Sequence, residues 1–291
     1  MKFWQSMAFC EPDQCAELAR HAEELGFEGM TLAEHQFFPE RLDSLFPFSP
    51  DGAALFDAED EWPEMWPLIG AMATTTKRLR FCTSVHILPL FHPLAVARSA
   101  ATAEALAPAR IVLGVGAGWM EEEYRAFGID FASRGRRLEE SIEILRLAWT
   151  GEMIEFHGEF FEFERLLVRP APTRSIPVWI GGTSGPALRR AGRIAEGWMG
   201  GGGPSEELVD QLESVRVQRV ESGREHLAFE TMTLHAIGLQ RDFDDVRRLA
   251  DAGLGGVVHL PFRATLGRRS SLSEKRAYLD RFADEVMSEF I

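Results

Sequence analysis

Short apolar segments bounded by glycine or proline alternate along the chain with longer segments in which apolar residues recur at helical spacing. This alternation is typical of repeated strand–helix units that build a parallel sheet. Eight such units predict a closed (β/α)8 barrel, the TIM-barrel fold, formed as one domain over residues 1–291. The predicted strands cover residues 2–9, 27–33, 79–87, 110–116, 177–181, 196–200, 229–238 and 256–261.

Two of the predicted helices show which face packs on the sheet. Leu18, Ala22 and Leu25 share one face of the first helix, which is predicted to end at Gly26. In the segment HPLAVARSAATAEAL the apolar face is mostly small, so we expect this helix to approach the sheet closely. That predicted face comprises Leu94, Ala97, Ala101 and Ala105.

Two connecting segments exceed ordinary loop length and are predicted to be insertions. Residues 35–61 are rich in aromatic, proline and acidic residues and follow the second strand. In a barrel they would emerge at the carboxyl ends of the strands, where active sites lie, and would be placed to cover a substrate. Residues 151–176 contain MIEFHGEFFEF, whose alternation around a glycine predicts a small hairpin.

Composition and charge narrow the classes of partner and the cellular compartment that we expect. A formal net charge of -14 and a pI near 5.1 disfavour nucleic acid and anionic membrane surfaces as partners. Three cysteines without a CxxC motif favour a reducing compartment, and the N-terminal residues resemble a first strand more than a signal peptide. We therefore expect a cytoplasmic protein that acts on a small molecule.

The first candidate site is PVWIGGTSGPALRRAG. A strand leads through Gly181 and Gly182 to Thr183 and Ser184, which open a helix, so several backbone N–H groups and the positive helix end meet at one point. Such a point suits a phosphate. The alternative is an ordinary strand-to-helix turn that Thr183 or Ser184 caps.

Three further segments place candidate residues at the same end of the barrel. In GVGAG, Gly114, Gly116 and Gly118 allow a flat ligand to approach the backbone, although the pattern departs from a dinucleotide fingerprint. In LAEHQF, His35 could exchange a proton and Glu34 could orient it or bind a hydroxyl; the alternative is a polar rim pair. In CTSVH the polar strand end, residues 83–85, is either a bulge against an aromatic ring or a buried strand end.

Other catalytic classes find little support. The remaining histidines near strand ends are either ligands or rim residues, and a catalytic metal barrel needs several histidines and carboxylates that converge. We predict no metal site. The first strand lacks a His-x-His pair, and the chain contains neither a GxSxG elbow nor a P-loop. The histidines in question are His86, His92, His235 and His259.

Taken together, the motifs resemble those of the luciferase-like monooxygenase family, barrel flavoproteins that include enzymes using the deazaflavin coenzyme F420. The resemblance runs in order from residue 28 to residue 198. The segment from Glu34 to Trp66 is most similar to deazaflavin-dependent oxidoreductases. The matching segments are LAEHQF, KRLRFCTSVHILPLFHPLAVARSAATAEAL, RIVLGVGAGWMEEEYRAFGIDFASRGRRLEESIEILRLAWTG and PVWIGGTSGPALRRAGRIAEGW.

The resemblance implies roles for individual residues. It implies that His35 is the mouth histidine, a proton donor or acceptor beside the redox-active ring, and that Glu34 fills the polar cofactor-binding position before it. It implies that Ser84 and Val85 form a bulge, often through a cis peptide, that backs the ring. It also implies that the other cofactor-binding residues line the ring or hold the phosphate; these are Gly116, Ala117 and Gly118 for the ring and Gly181, Gly182, Thr183 and Ser184 for the phosphate.

Three functions follow from the resemblance. The first is an F420-dependent oxidoreductase that moves a hydride to or from a small organic substrate. The second is an FMN-dependent monooxygenase that uses O2 and flavin reduced by a separate reductase. The third is a flavin-binding protein without turnover, which would not need His35. A homodimer is implied in each case. Phe37, Phe38, Phe91 and Trp119 predict an apolar pocket.

Overall fold

Eight parallel strands close into a barrel in the computed structural model, which describes residues 1–234 and 243–290. The predicted (β/α)8 fold is confirmed. Each observed strand lies within its predicted range. Positions 235–238 of the seventh predicted strand lie outside the described residues. The barrel order is β1-β10-β9-β8-β7-β4-β3-β2, with β1 Lys2–Ser6, β2 Gly29–Leu32, β3 Arg80–Thr83, β4 Ile111–Val115, β7 Val178–Gly181, β8 Gly197–Gly200, β9 Glu230–Leu234 and β10 Gly256–His259.

Helices surround the barrel. None of those within residues 1–234 and 243–290 is long and apolar enough to cross a membrane. The first helix ends at Gly26, as predicted. The helices are α1 Pro12–Leu25, α2 Met65–Thr75, α3 Pro93–Leu106, α4 Glu121–Ala126, α5 Arg134–Trp149, α6 Gly185–Ile194, α7 Ser205–Glu221, α8 Phe243–Asp251, α9 Phe262–Leu266 and α10 Leu272–Glu285.

The alanine-rich helix α3 buries Ala97 and Ala101 of its predicted face, but the prediction is wrong at Ala105. Ala105 is exposed, whereas Ala100 and Ala103 are buried. The reason is that α3 packs against α5 as well as the sheet, and the Trp149 indole on α5 donates a hydrogen bond of 3.0 Å to the carbonyl of Ala97. The small side chains allow this close helix pairing, as expected from their size.

The second insertion forms the predicted hairpin. Strands β5 Ile154–His157 and β6 Glu162–Leu166 pair antiparallel. The Glu140 carboxylate on α5 accepts hydrogen bonds from three backbone amides of the hairpin turn, at residues 159–161. This carboxylate fixes the hairpin beside α5.

A network of charged side chains closes the amino end of the barrel. Arg80 at the start of β3 pairs with Glu28 and Glu230, each at 2.8 Å, and its guanidinium lies over the Trp4 and Trp179 rings. Burial opposes ionisation of Glu230, but hydrogen bonds from the basic side chains outweigh it and lower the pKa of Glu230 to about 2. The interior above this network is filled by apolar residues, which leaves the carboxyl end for a site. Those residues are Trp4, Cys82, Val112, Trp179, Met199, Met232 and Val258.

Candidate functional site at the carboxyl end of the barrel

Three of the predicted segments meet around the side chain of Val85. The peptide bond between Ser84 and Val85 is cis, the geometry that the resemblance implies. A Cβ atom at Gly116 would lie 2.5 Å from Val85 Cγ2, and one at Gly181 would lie 2.4 Å from Val85 Cγ1. Real Cβ atoms do not approach that closely, so both positions require glycine for the side chain of Val85 to lie between them.

The loop after β4 is held by a tyrosine. The hydroxyl of Tyr124 on α4 donates a hydrogen bond of 2.5 Å to the carbonyl of Ala117. Burial raises the pKa of Tyr124, which keeps this hydroxyl protonated as a donor. A Cβ atom at Gly118 would lie 2.8 Å from Ile87 Cγ2, so this loop also packs against the segment that follows the cis peptide.

The geometry of the predicted phosphate turn is compatible with both interpretations of its sequence, an anion site and a capped strand-to-helix turn. Ser184 caps α6 by accepting a hydrogen bond from the Ala187 amide at 3.4 Å. In the described part of the chain, no protein group accepts a hydrogen bond from the amides of Thr183 or Ser184. Gly182 adopts a φ of 121°, and its own amide bonds the Met199 carbonyl at 3.1 Å. The cap leaves two amides at a positive helix end, as an anion site requires.

Arg189 adds a positive charge that the sequence reasoning missed. A Cβ atom at Gly185 would lie 3.2 Å from a guanidinium nitrogen of Arg189, so this side chain turns back over the first turn of α6. A guanidinium at that position suits a phosphate. Its spacing of four residues from the first helical residue was the signal available in the sequence.

Glu34 bonds His86 rather than its neighbour His35. One carboxylate oxygen of Glu34 lies 2.6 Å from His86 Nδ1 and accepts a hydrogen bond of 2.9 Å from the Ile87 amide. Both side chains are buried, and His86 stacks on Phe91 with ring centroids 4.5 Å apart. Glu34 therefore fixes the segment that follows the cis peptide.

His35 lies in a box of aromatic rings. Its imidazole stacks on Phe56 with ring centroids 4.6 Å apart, and it meets Trp62 and Trp119 edge to face at 5.0 and 5.5 Å. Only 8% of the side chain is exposed. On its other side, His35 Nδ1 lies 3.3 Å from the buried carboxylate of Glu123 on α4. Sequence reasoning identified His35 and Trp119 but not the other members of the box.

The first insertion, residues 35–61, covers this end of the barrel and is called the lid below. It contains neither helix nor strand. Glu122 on α4 accepts hydrogen bonds from the amides of Asp43 and Ser44 at 2.8 and 3.1 Å. The Phe48 ring packs on Gly201, where a Cβ atom would lie 2.0 Å from the ring.

The outer edge of the lid is fixed by ion pairs to the loop after β10. Asp60 lies 2.6 Å from Arg263 Nε and 3.3 Å from Arg268 Nε, and 1% of its side chain is exposed. Arg268 also pairs with Asp57 at 2.7 Å. We refer to Asp57, Asp60, Arg263 and Arg268 as the lid clasp.

The other candidate histidines do not join this site. His259 bonds the Tyr278 hydroxyl at 2.7 Å and packs on Phe282, so it faces α10. His92 caps α3, and His235 lies outside the described residues. Across residues 1–234 and 243–290, no group of three or more His, Cys, Asp and Glu could hold a metal ion.

Comparisons with known proteins agree with this architecture. The family model described as luciferase-like monooxygenase matches residues 6–289. An uncharacterized protein of Mycobacterium tuberculosis is 38% identical over 99% of this chain and 100% of its own length. An F420-dependent glucose-6-phosphate dehydrogenase of Nakamurella multipartita is 30% identical over 96% of this chain and 77% of its own.

A solved structure supports the fold alone. The crystal structure of a monooxygenase from Streptomyces bottropensis superimposes with a TM-score of 0.77 over 100% of both chains, at 18% identity. At that identity the structural similarity supports the barrel fold and does not extend to the reaction.

Proposed function

This chain belongs to the luciferase-like monooxygenase family, and we propose that it is a coenzyme F420-dependent oxidoreductase that transfers a hydride between the deazaflavin and a small organic substrate. The observation that carries the proposal is the meeting of Val85, Gly116 and Gly181 beside a capped helix start and a buried histidine. The F420-dependent relative, 30% identical over 96% of the chain, favours the deazaflavin.

The residues present fit such a cofactor. The glycines leave the Val85 side chain as an apolar support on which a planar ring would rest. The two amides at Thr183 and Ser184, with Arg189, would hold the phosphate. FMN also carries a phosphate and a planar ring, so the choice of F420 rests on the relative, and FMN with O2 and a separate reductase is the alternative.

Each group of the site has a separate task in the proposed reaction. The bound deazaflavin would supply the hydride chemistry. His35 takes from the substrate, or returns to it, the proton that accompanies the hydride, so that an alcohol and its carbonyl product balance. The aromatic rings around His35 exclude water from that proton transfer. Glu34 and His86 keep the segment beneath the ring in place.

The residues around His35 favour an apolar substrate over a sugar phosphate. The rings packed around His35 are those of Phe56, Trp62 and Trp119. The cations of the lid clasp, Arg263 and Arg268, already pair with lid carboxylates. Thus the glucose-6-phosphate activity in the relative's name is not part of this proposal.

The proposal includes a cytoplasmic homodimer without nucleic acid or membrane partners. The formal charge of -14 opposes anionic surfaces. Cys10, Cys15 and Cys82 are buried free thiols, which suits a reducing compartment.

The test loads the protein with oxidised F420 and follows its reduction by a panel of small secondary alcohols, in wild type and in His35→Ala. We expect reduction by at least one alcohol, and a loss of about 10²-fold or more in the variant with cofactor still bound. Equal rates in the two proteins would remove His35 from the reaction. Cofactor binding without hydride exchange in any direction would favour a flavin-binding protein.

A further inference from the structure

We propose that Glu123 is a positioning residue that keeps a proton on Nδ1 of His35, so that Nε2 is the ring atom that exchanges a proton with the substrate. The inference rests on the proposed function for the role of His35. Its test reads the imidazole ring itself in the cofactor-free protein, so the two can fail separately.

The hydrogen bonds around Glu123 determine which ring nitrogen carries the proton. Glu123 is fully buried on the first turn of α4, and its Oε1 accepts a hydrogen bond of 2.7 Å from the backbone amide of Gln36. An amide can only donate, and a hydroxyl oxygen of a carboxylic acid is a poor acceptor, so the short bond from Gln36 makes Oε1 a carboxylate or carbonyl oxygen and assigns any carboxyl proton to Oε2. The same oxygen lies 3.3 Å from His35 Nδ1, which must therefore be the donor.

The aromatic box keeps the ring in this orientation. Phe56 stacks on one face of the imidazole, while Trp62 and Trp119 meet it edge to face. A ring flip that exchanged Nδ1 for carbon would break the bond to Glu123. No protein group in residues 1–234 or 243–290 hydrogen-bonds Nε2, so that atom is the one available to a bound molecule.

The neighbouring carboxylate offers a matched control. Glu122 lies on the same turn of α4 and is also buried, and its Oε1 also accepts hydrogen bonds from backbone amides of the lid, at Asp43 and Ser44. Glu122 makes neither a hydrogen bond nor an ion pair with His35. A Glu122 variant therefore disturbs a buried lid carboxylate without touching the proposed proton arrangement.

The experiment is ¹⁵N NMR of the histidine side chains, at a pH where imidazoles are neutral, with the His35 signals identified by their loss in His35→Gln. Wild type is expected to show His35 protonated on Nδ1, although free imidazole side chains favour Nε2. Glu123→Leu should shift the tautomer ratio about tenfold or more toward Nε2–H, because one hydrogen bond to a carboxylate is lost. Glu123→Gln, which keeps an oxygen for Gln36 and His35, and Glu122→Leu should both retain the Nδ1–H form.

A wild-type His35 protonated mainly on Nε2 would overturn the inference, and this result does not require any Glu123 variant to fold. An unchanged ratio in folded Glu123→Leu would overturn it as well, as would an equal shift in Glu122→Leu. An Nδ1–H tautomer in a protein that fails to bind F420 would support the proton arrangement and contradict the proposed function.

Discussion

The lid clasp predicts a local effect of replacing Arg263 by methionine, which keeps an unbranched apolar stem as far as the position of Nε and removes the charged guanidinium. Arg263 Nε lies 2.6 Å from the Asp60 carboxylate as an ion pair, and Arg263 Nη1 donates a hydrogen bond of 2.7 Å to the carbonyl of Leu55. Asp60 is nearly fully buried, so the variant would leave its carboxylate with Arg268 at 3.3 Å as the remaining cation of the clasp.

The size of the effect follows from that geometry. Breaking a fully buried ion pair by removing one partner costs about 3–5 kcal/mol. Arg263 is 25% exposed and Arg268 stays, so we expect about 2 kcal/mol, and the loss should fall on the closed lid. That free energy corresponds to about a 30-fold larger population of the open lid.

Hydrogen exchange of individual amides measures this population. The Asp60 amide bonds the carbonyl of Asp57 at 3.1 Å, and the Asp57 amide bonds the Asp60 carboxylate at 2.9 Å. Both should exchange about 30-fold faster in Arg263→Met, since their protection depends on the closed turn. The amides of Asp43 and Ser44, held by Glu122, should change little.

A matched variant separates this local effect from the loss of any surface charge. Arg247→Met removes an exposed ion pair to Asp244 on α8 and should leave lid exchange unchanged. A change below about threefold at Asp57 and Asp60 in Arg263→Met would refute the reasoning. So would a uniform acceleration across the whole chain, which would indicate global destabilisation instead.

Three further predictions concern the barrel and the cofactor. Because the folded-state pKa of Glu230 is about 2 against an ordinary 4.5, its contribution is complete above pH 4.5 and is lost as pH falls toward 2. Urea unfolding should therefore show Glu230→Gln to be about 1 kcal/mol less stable at pH 7, allowing for partial exposure, with a smaller difference at pH 3. Gly181→Ala would place a Cβ atom 2.4 Å from Val85 and should weaken F420 binding about tenfold or more in a titration, whereas Gly70→Ala, with its nearest atom at 3.9 Å, should not. Arg189→Gln should weaken F420 binding about tenfold through loss of a phosphate contact, and an unchanged affinity at low salt would exclude that contact.

Much of the fold could be predicted because it depends on local patterns. The eight strands and the hairpin at residues 154–166 follow from alternation and glycine punctuation, which act over a few residues. The third strand is shorter than its prediction, 79–87: the regular ladder ends at Thr83, His86 makes only an isolated bridge to Val115, and no apolar pattern records that interruption. On α3 the prediction was right for Ala97 and Ala101 and wrong for Ala105, because contacts with a second helix, which bury Ala100 and Ala103 as well, do not follow from the spacing within one segment.

The site could be predicted only where one segment contains the whole feature. The turn at Gly182 and the proximity of Ser84 to the glycine loop follow from adjacent motifs and from the shared end of parallel strands. The pairing of His35 with Glu123 joins residues 88 positions apart, and the clasp joins Asp60 to a loop more than 200 residues away. Such contacts depend on how an irregular lid crosses the barrel, and no periodicity encodes that path.

The most direct test of the account is a parallel titration of the purified, cofactor-free protein with F420 and with FMN, followed by quenching of tryptophan fluorescence. The account predicts micromolar or tighter binding of F420 and much weaker binding of FMN, with Trp62 and Trp119 close enough to the site to report it. Selective binding of FMN would contradict the deazaflavin assignment and favour a monooxygenase. Binding of neither would contradict the phosphate role given to Thr183 and Ser184.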